Sequence, residues 1–135
     1  PEAAVAAGEG ASAMHDVTEG GIATALAELS AAGGFELRVE MDRIPVFPET
    51  RRLCHLLGID PLGLIGSGSL LICCRPGSAA RLAARLRRKG IAVSRIGTVG
   101  RPGAGVLAFR DGRPASWPSF EVDEIARLFA RGKRA

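Results

Sequence analysis

The sequence predicts an α+β domain, a mixed β-sheet with helices packed against it, and three observations point there. Phe35 to Asp42 alternates apolar and polar residues without a break, the period of a strand with one buried and one wet face. Ser69 to Cys74 is continuously apolar, as in a strand covered on both faces and set in the middle of a sheet. Between these runs lie stretches with helical apolar spacing, but strands and helices do not alternate strictly. A doubly wound parallel fold would require that alternation.

Taken in order, residues 2 to 8 are alanine-rich and read as the tail of a helix that begins upstream and stops at Gly8-Glu9-Gly10. A short strand from Ala11 to His15 follows. The first well-marked helix runs from about Glu19 to Ala32, with Ile22, Leu26 and Leu29 on one face, Thr18 as its cap and Gly33-Gly34 as its stop. After the alternating strand, Ile44-Pro45-Val46-Phe47-Pro48 is an extended connector, because each proline restricts the residue before it. Pro48 suits the first turn of a helix from about Glu49 to Leu57, ended by Gly58.

The strand at Ser69 to Cys74 is followed by a helix from about Ser78 to Lys89, with Ala79, Leu82, Ala83 and Leu86 inward and arginines outward. Ile91 to Val99 reads as another strand. Val106 to Arg110 and Arg113 to Trp117 can pair across Asp111-Gly112, a strong hairpin signal. Ser119 is placed to cap a last helix, about Phe120 to Ala130, whose inner stripe would be Val122, Ile125, Ala126 and Phe129. Its acidic start and basic end match the helix dipole.

A chain of 135 residues suits a single domain spanning 1–135 and can bury a core without metal or disulfide staples. Tyrosine is absent and Trp117 is alone, so the core is built from small and aliphatic side chains. No stretch approaches the roughly 20 apolar residues of a membrane helix, and Pro1 to Val5 has no signal-peptide character. The expected setting is cytoplasmic, with no membrane partner. The missing initiator methionine suggests a processed chain or a piece of a longer one. Cys54, Cys73 and Cys74 fit neither a disulfide framework nor a metal knuckle and read as buried free thiols. The net charge of +4 gathers at the ends of the two helices rich in arginine, without the interleaved aromatics that nucleic-acid binding would want. Nucleic acid is therefore not an expected partner.

The segment that can carry chemistry is His15-Asp16-Val17-Thr18-Glu19-Gly20-Gly21. Paired glycines in a first helical turn cost about 1 kcal/mol each relative to alanine, so something must offset them. On one reading, the missing β-carbons let a phosphate reach free backbone amides at the positive end of the helix dipole. Asp16 would then hold Mg2+ on a bound nucleotide, Thr18 would donate to a phosphate oxygen, and His15 would contact substrate. On the other, Asp16 and Thr18 cap the helix and the glycines permit close packing. Gly66-Ser67-Gly68-Ser69 offers the same choice: Ser67 and Gly68 wrap an anion in a backbone nest, or the segment is an entry turn. His55 reads as a packed or surface histidine. No nucleophile, base and orienting acid form a recognisable set.

Met14 to Leu26 closely resembles the Asp-x-Thr/Ser-x-Gly-Gly-hydrophobic-Ala signature that opens the C-terminal domain of the AIR synthase-related superfamily. Ile44 to Glu49 and Cys54-His55-Leu56-Leu57-Gly58-Ile59-Asp60-Pro61-Leu62 look like the corresponding stretch of the hydrogenase expression/formation protein HypE, and Ile96-Gly97-Thr98-Val99 is similar to a strand these domains share. The resemblance implies an AIR synthase C-terminal-domain-like fold, with the N-terminal ATP-binding domain of the parent absent from the chain. It implies ATP and Mg2+ as cofactors of that parent, with Asp16, Thr18, Gly20 and Gly21 on the phosphate side of the cleft. The implied partners are its own N-terminal domain, a second copy in a homodimer, and other hydrogenase maturation proteins.

Two departures separate the chain from HypE. Gly66-Ser67-Gly68 stands where an Asn-Glu-Gly run is expected, and Arg131-Gly132-Lys133-Arg134-Ala135 carries no cysteine tail. The resemblance thus leads to part of a HypE-like, ATP-dependent enzyme, inactive as an isolated domain. The other expectation is a non-catalytic regulatory or assembly domain that retains the fold.

Overall fold

A computed structural model of the chain describes residues 1–132. Five helices and six strands alternate irregularly: α1 (Glu2–Gly8), β1 (Ala11–Asp16), α2 (Gly21–Gly33), β2 (Phe35–Glu40), α3 (Pro48–Leu57), β3 (Leu70–Cys74), α4 (Pro76–Arg88), β4 (Gly97–Pro102), β5 (Gly105–Arg110), β6 (Arg113–Ala115) and α5 (Glu124–Gly132). Short 3-10 turns lie at Met41–Arg43 and Pro61–Gly63. The strands form two separate units. One is a four-stranded mixed sheet in the order β4-β2-β5-β6, with β2 parallel to β5 and the other pairs antiparallel. The other is an antiparallel ribbon of β1 and β3. The fold is α+β, with helices on a mixed sheet.

The alternation in Phe35 to Glu40 works as its period dictates. Leu37 and Val39 are buried beneath α2, while Arg38 points outward and lies over the Phe109 ring at 3.7 Å. Such a cation over an aromatic face contributes about 0.5–1 kcal/mol at an exposed site. Leu26 of α2 is buried in the same core, and a side chain of that size stabilises by roughly 2 kcal/mol on burial. A smaller second core joins α1, α4 and the ribbon, centred on Ala6, Leu82 and Leu86. Its outer edge is fixed by Glu9, whose buried carboxylate takes hydrogen bonds from Arg81 and Arg85 of α4.

Three sequence expectations change. The apolar run of β3 is covered on both faces as its composition implies, with Leu71 in the first core and Ile72 and Cys74 against the second. It is not central, however, since among the described residues it pairs with β1 alone. The strand expected over Ile91 to Val99 begins only at Gly97. Ile91 and Val93 pack on the second core as the chain crosses over, and the first ladder-like bond runs from the Glu40 amide to the Ile96 carbonyl, 2.8 Å.

The last helix starts at Glu124 rather than Phe120, because Asp123, not Ser119, accepts the Ile125 amide at 2.9 Å. Val122, Ile125, Ala126 and Phe129, expected to face inward, are all exposed, and the side chain that goes inside is Glu124, paired with Arg127. The residues read as a terminal tail, 133 to 135, lie outside the described residues. No described helix is long and apolar enough to cross a membrane. The cysteines are free as expected, though only Cys54 is fully buried and Cys73 and Cys74 are half-buried.

Candidate functional site

The glycine-bearing turn connects the end of β1 to α2, and its conformation needs both glycines. Gly20 has φ 74° and Gly21 φ 64°, the left-handed region where a side chain is strained. A β-carbon on Gly21 would fall on the carbonyls of Leu62 and Leu64, and one on Gly20 would collide with the Thr24 side chain. The close-packing reading of the glycines therefore holds for Gly21. The capping reading of Thr18 and Asp16 does not, since no side chain caps α2. Thr18 acts through its carbonyl, which accepts the Gly21 amide at 3.1 Å.

The Gly20 amide has a different partner. Asp123, more than a hundred residues away, presents Oδ2 to it at 3.2 Å. A carboxylate is thus the oxyanion resting on an amide of this turn, held there by the start of α5. The sequence reading missed Asp123. Its signal was present, since an aspartate immediately ahead of the apolar positions Ile125, Leu128 and Phe129 is a preferred N-cap.

Both segments singled out in the sequence meet here. Ser67 and Gly68 form a tight turn closed by the Ser69 amide on the Gly66 carbonyl, 2.9 Å, so the entry-turn reading of that segment describes its backbone. The Ser69 carbonyl then accepts the Val17 amide at 3.2 Å, and a β-carbon on Gly66 would meet the Val17 side chain. Ser67 and Gly68 consequently flank Asp16, Val17 and Thr18 at one end of the ribbon, where Asp16 pairs with Leu70.

Asp16 is the last residue of β1 and its side chain is 76% exposed, with His15 Nδ1 3.8 Å away. His15 is engaged inside the domain: Nε2 lies 3.1 Å from Glu28 of α2 and Nδ1 lies 2.6 Å from the Asp16 carbonyl. That arrangement orients the turn and leaves the Asp16 carboxylate facing outward. No cluster of three or more His, Cys, Asp or Glu side chains capable of holding a metal occurs among the described residues. Burial raises the thiols of Cys54 and Cys73 above the ordinary cysteine value, with Asp60 adding to the effect at Cys54 and Cys74 at Cys73.

The turn, its two glycines and the strand that feeds it fall within residues 1–109, which match the family model described as AIR synthase related protein, C-terminal domain. The chain belongs to this family. As an AIR synthase-related C-terminal domain it is similar to carbamoyl dehydratase HypE of Rhodobacter capsulatus, 38% identical over 85 residues, covering 63% of this chain and 25% of that protein. HypE of Cupriavidus necator is 37% identical over 92 residues, covering 67% and 26%. Among solved structures, the hydrogenase maturation protein HypE in complex with ATP superposes with a TM-score of 0.72 at 28% identity, covering 82% of this chain and 36% of that one. The AIR synthase-related domain therefore spans about a quarter of the length of the curated relatives it matches.

Proposed function

We propose that this AIR synthase-related domain is the C-terminal part of a HypE-like, ATP-dependent enzyme in hydrogenase maturation, and that its glycine turn closes over nucleotide phosphates. The observation that carries the reading is the Asp123 carboxylate on the Gly20 amide at 3.2 Å. The turn already attracts and seats an oxyanion, and a phosphate oxygen makes the same hydrogen bond with greater charge. Likeness to HypE, a relative solved with ATP, supports the choice of nucleotide.

Asp16, Thr18, Gly20 and Gly21 would line the phosphate side, with Ser67 and Gly68 on the adjoining turn and His15 toward the substrate. Asp16, whose carboxylate faces outward, would be the residue that holds Mg2+, because Mg2+ in nucleotide sites takes one or two carboxylates and keeps several waters. Bound there, the ion would neutralise phosphate charge. In phosphoryl transfer the protein mainly positions groups and offsets that charge, so a domain supplying one wall of the site is inactive alone. Its own N-terminal domain would supply the other wall, within a homodimer that meets other maturation proteins. The exposed apolar side chains of α5 and α3, Phe129 and Leu56 among them, support burial against the rest of a longer protein.

The test is equilibrium ATP binding by the longer parent protein in magnesium, with and without Asp16→Ala. The substitution should weaken binding by about tenfold, one charge-assisted contact's worth. A parent that binds no ATP removes the nucleotide reading, and equal affinity in both proteins removes Asp16 from the site.

A further inference from the structure

The start of α5 meets the glycine turn along two routes. Directly, Asp123 Oδ2 accepts the Gly20 amide at 3.2 Å, while Oδ1 of the same carboxylate accepts the Ile125 amide of α5 at 2.9 Å. Indirectly, the Pro61–Gly63 turn is wedged between the two. The Leu62 and Leu64 carbonyls crowd Gly21, and Gly63 lies so close to Glu124 and Phe120 that a β-carbon would meet both side chains.

What holds α5 there is mainly polar. Among the described residues, neither hydrophobic core includes a side chain of α5, and Ile125 and Phe129 are exposed. Leu128 is half-buried. Beyond Asp123, the tie is Arg127, which donates to the Gly58 carbonyl at 3.3 Å and pairs with the buried Glu124. Glu124 and Arg127 both belong to α5, so their pair travels with the helix. Phe120, by contrast, is packed against the first core. Residues 121 to 123 lie outside any helix or strand and form a hinge between that anchor and α5. Opening such an element costs less than global unfolding, because little apolar surface is exposed.

We propose that α5 is a latch: its docking and the occupation of the Gly20 amide by an outside oxyanion exclude each other. One amide hydrogen serves one strong acceptor, and a second anion there would also face the charge of Asp123. Asp123 cannot turn aside alone without giving up the Ile125 cap, so the arriving anion loosens the first turn of α5. By reciprocity, whatever holds α5 down weakens binding at the turn by the same factor. The inference rests on the phosphate reading of the turn only for what displaces the latch.

The experiment is amide hydrogen exchange of the chain, followed by NMR, in wild type, Arg127→Gln and Asp123→Asn, with and without pyrophosphate. Arg127→Gln should speed exchange at Gly20 and at Ile125 by a common factor of about ten, the worth of one charge-assisted hydrogen bond. The Leu37 and Val39 amides of β2 should keep their rates. Should this variant loosen β2 as well, Asp123→Asn carries the comparison, and it too should speed Gly20 and Ile125 together. Acceleration of one without the other overturns the latch. In wild type, saturating pyrophosphate should shift the Gly20 resonance and speed exchange at Ile125. A shift at Gly20 without that loosening also overturns the latch. Pyrophosphate that leaves Gly20 unmoved in all three proteins, while Gly20 and Ile125 still open together, removes the phosphate reading of the turn and leaves the latch standing.

Discussion

Asp123 joins Gly20 to the start of α5: one carboxylate oxygen accepts the Gly20 amide at 3.2 Å and the other accepts the Ile125 amide at 2.9 Å. The same side chain therefore caps one helix and occupies the entrance to another. Removing it with Asp123→Ala should cost about 1 kcal/mol through the lost cap and lower the thermal midpoint. Hydrogen exchange at the Gly20 amide should speed up in parallel. Asp123→Asn keeps the cap but removes the charge. In the longer parent that variant should bind ATP more tightly than wild type, because a phosphate then displaces a neutral group. Calorimetric titration measures it.

Gly21→Ala should destabilise by more than about 3 kcal/mol, combining left-handed strain with overpacking. Its β-carbon would fall on the Leu62 and Leu64 carbonyls, which belong to backbone and cannot swing away. Gly10 has a similar φ of 79° with open space around it, so Gly10→Ala should cost only about 1–2 kcal/mol. Urea denaturation of the pair separates packing from strain. Equal losses would mean that the approach of Gly21 to the Pro61 turn is looser than described.

Ser30 is 1% exposed on the buried face of α2, where its hydroxyl donates to the Phe35 carbonyl at 2.7 Å and accepts the Gly105 amide at 2.7 Å. It ties the helix to the beginnings of both β2 and β5. Ser30→Ala takes this partner from the part-buried Phe35 carbonyl and Gly105 amide, and should cost about 1 kcal/mol. Chemical denaturation followed by the fluorescence of Trp117 reads it directly. Trp117 hydrogen-bonds to Ala23 of the same helix at 3.1 Å.

Glu9 predicts an acid-limb effect with a definite sign. Hydrogen bonds from Arg81, then Arg85, hold its carboxyl below the ordinary glutamate value. A group depressed in the folded state adds stability above its unfolded value, about 4.3, and loses that contribution as pH falls through the lower folded value. Unfolding free energies measured from about pH 6 down to pH 2 should therefore decline less steeply in Glu9→Gln than in wild type. Parallel curves would show that the two arginines do not hold this charge.

Local signals made much of the fold legible before any coordinates. The period of Phe35 to Glu40, the proline and glycine bounding α3, and Asp111-Gly112 between β5 and β6 each act within a few residues, and each produced the element it marks. What escaped depended on distant partners. Nothing within Leu70 to Cys74 reveals that it has one neighbour rather than two, because both of its faces are covered either way. The stripe of Val122, Ile125 and Phe129 looked inward because apolar periodicity marks a face without saying what meets it. At the site, His15 to Gly21 stood out by residue type, and the adjoining Ser67-Gly68 turn was legible as a second candidate. The carboxylate of Asp123 was hidden by a separation no local pattern bridges.

The parallel pairing of β2 with β5, Glu36 beside Gly105 through Glu40 beside Phe109, also fixes a timetable for synthesis. A ribosome delivers β2 long before its parallel neighbour, and β4 arrives only shortly before β5. Until then the nascent segment offers bare edges on both sides to any stray strand. Non-local closure of this kind is slow and exposed to aggregation, so the interval between the synthesis of β2 and that of β5 governs whether the emerging polypeptide stays solitary or sticks to its siblings.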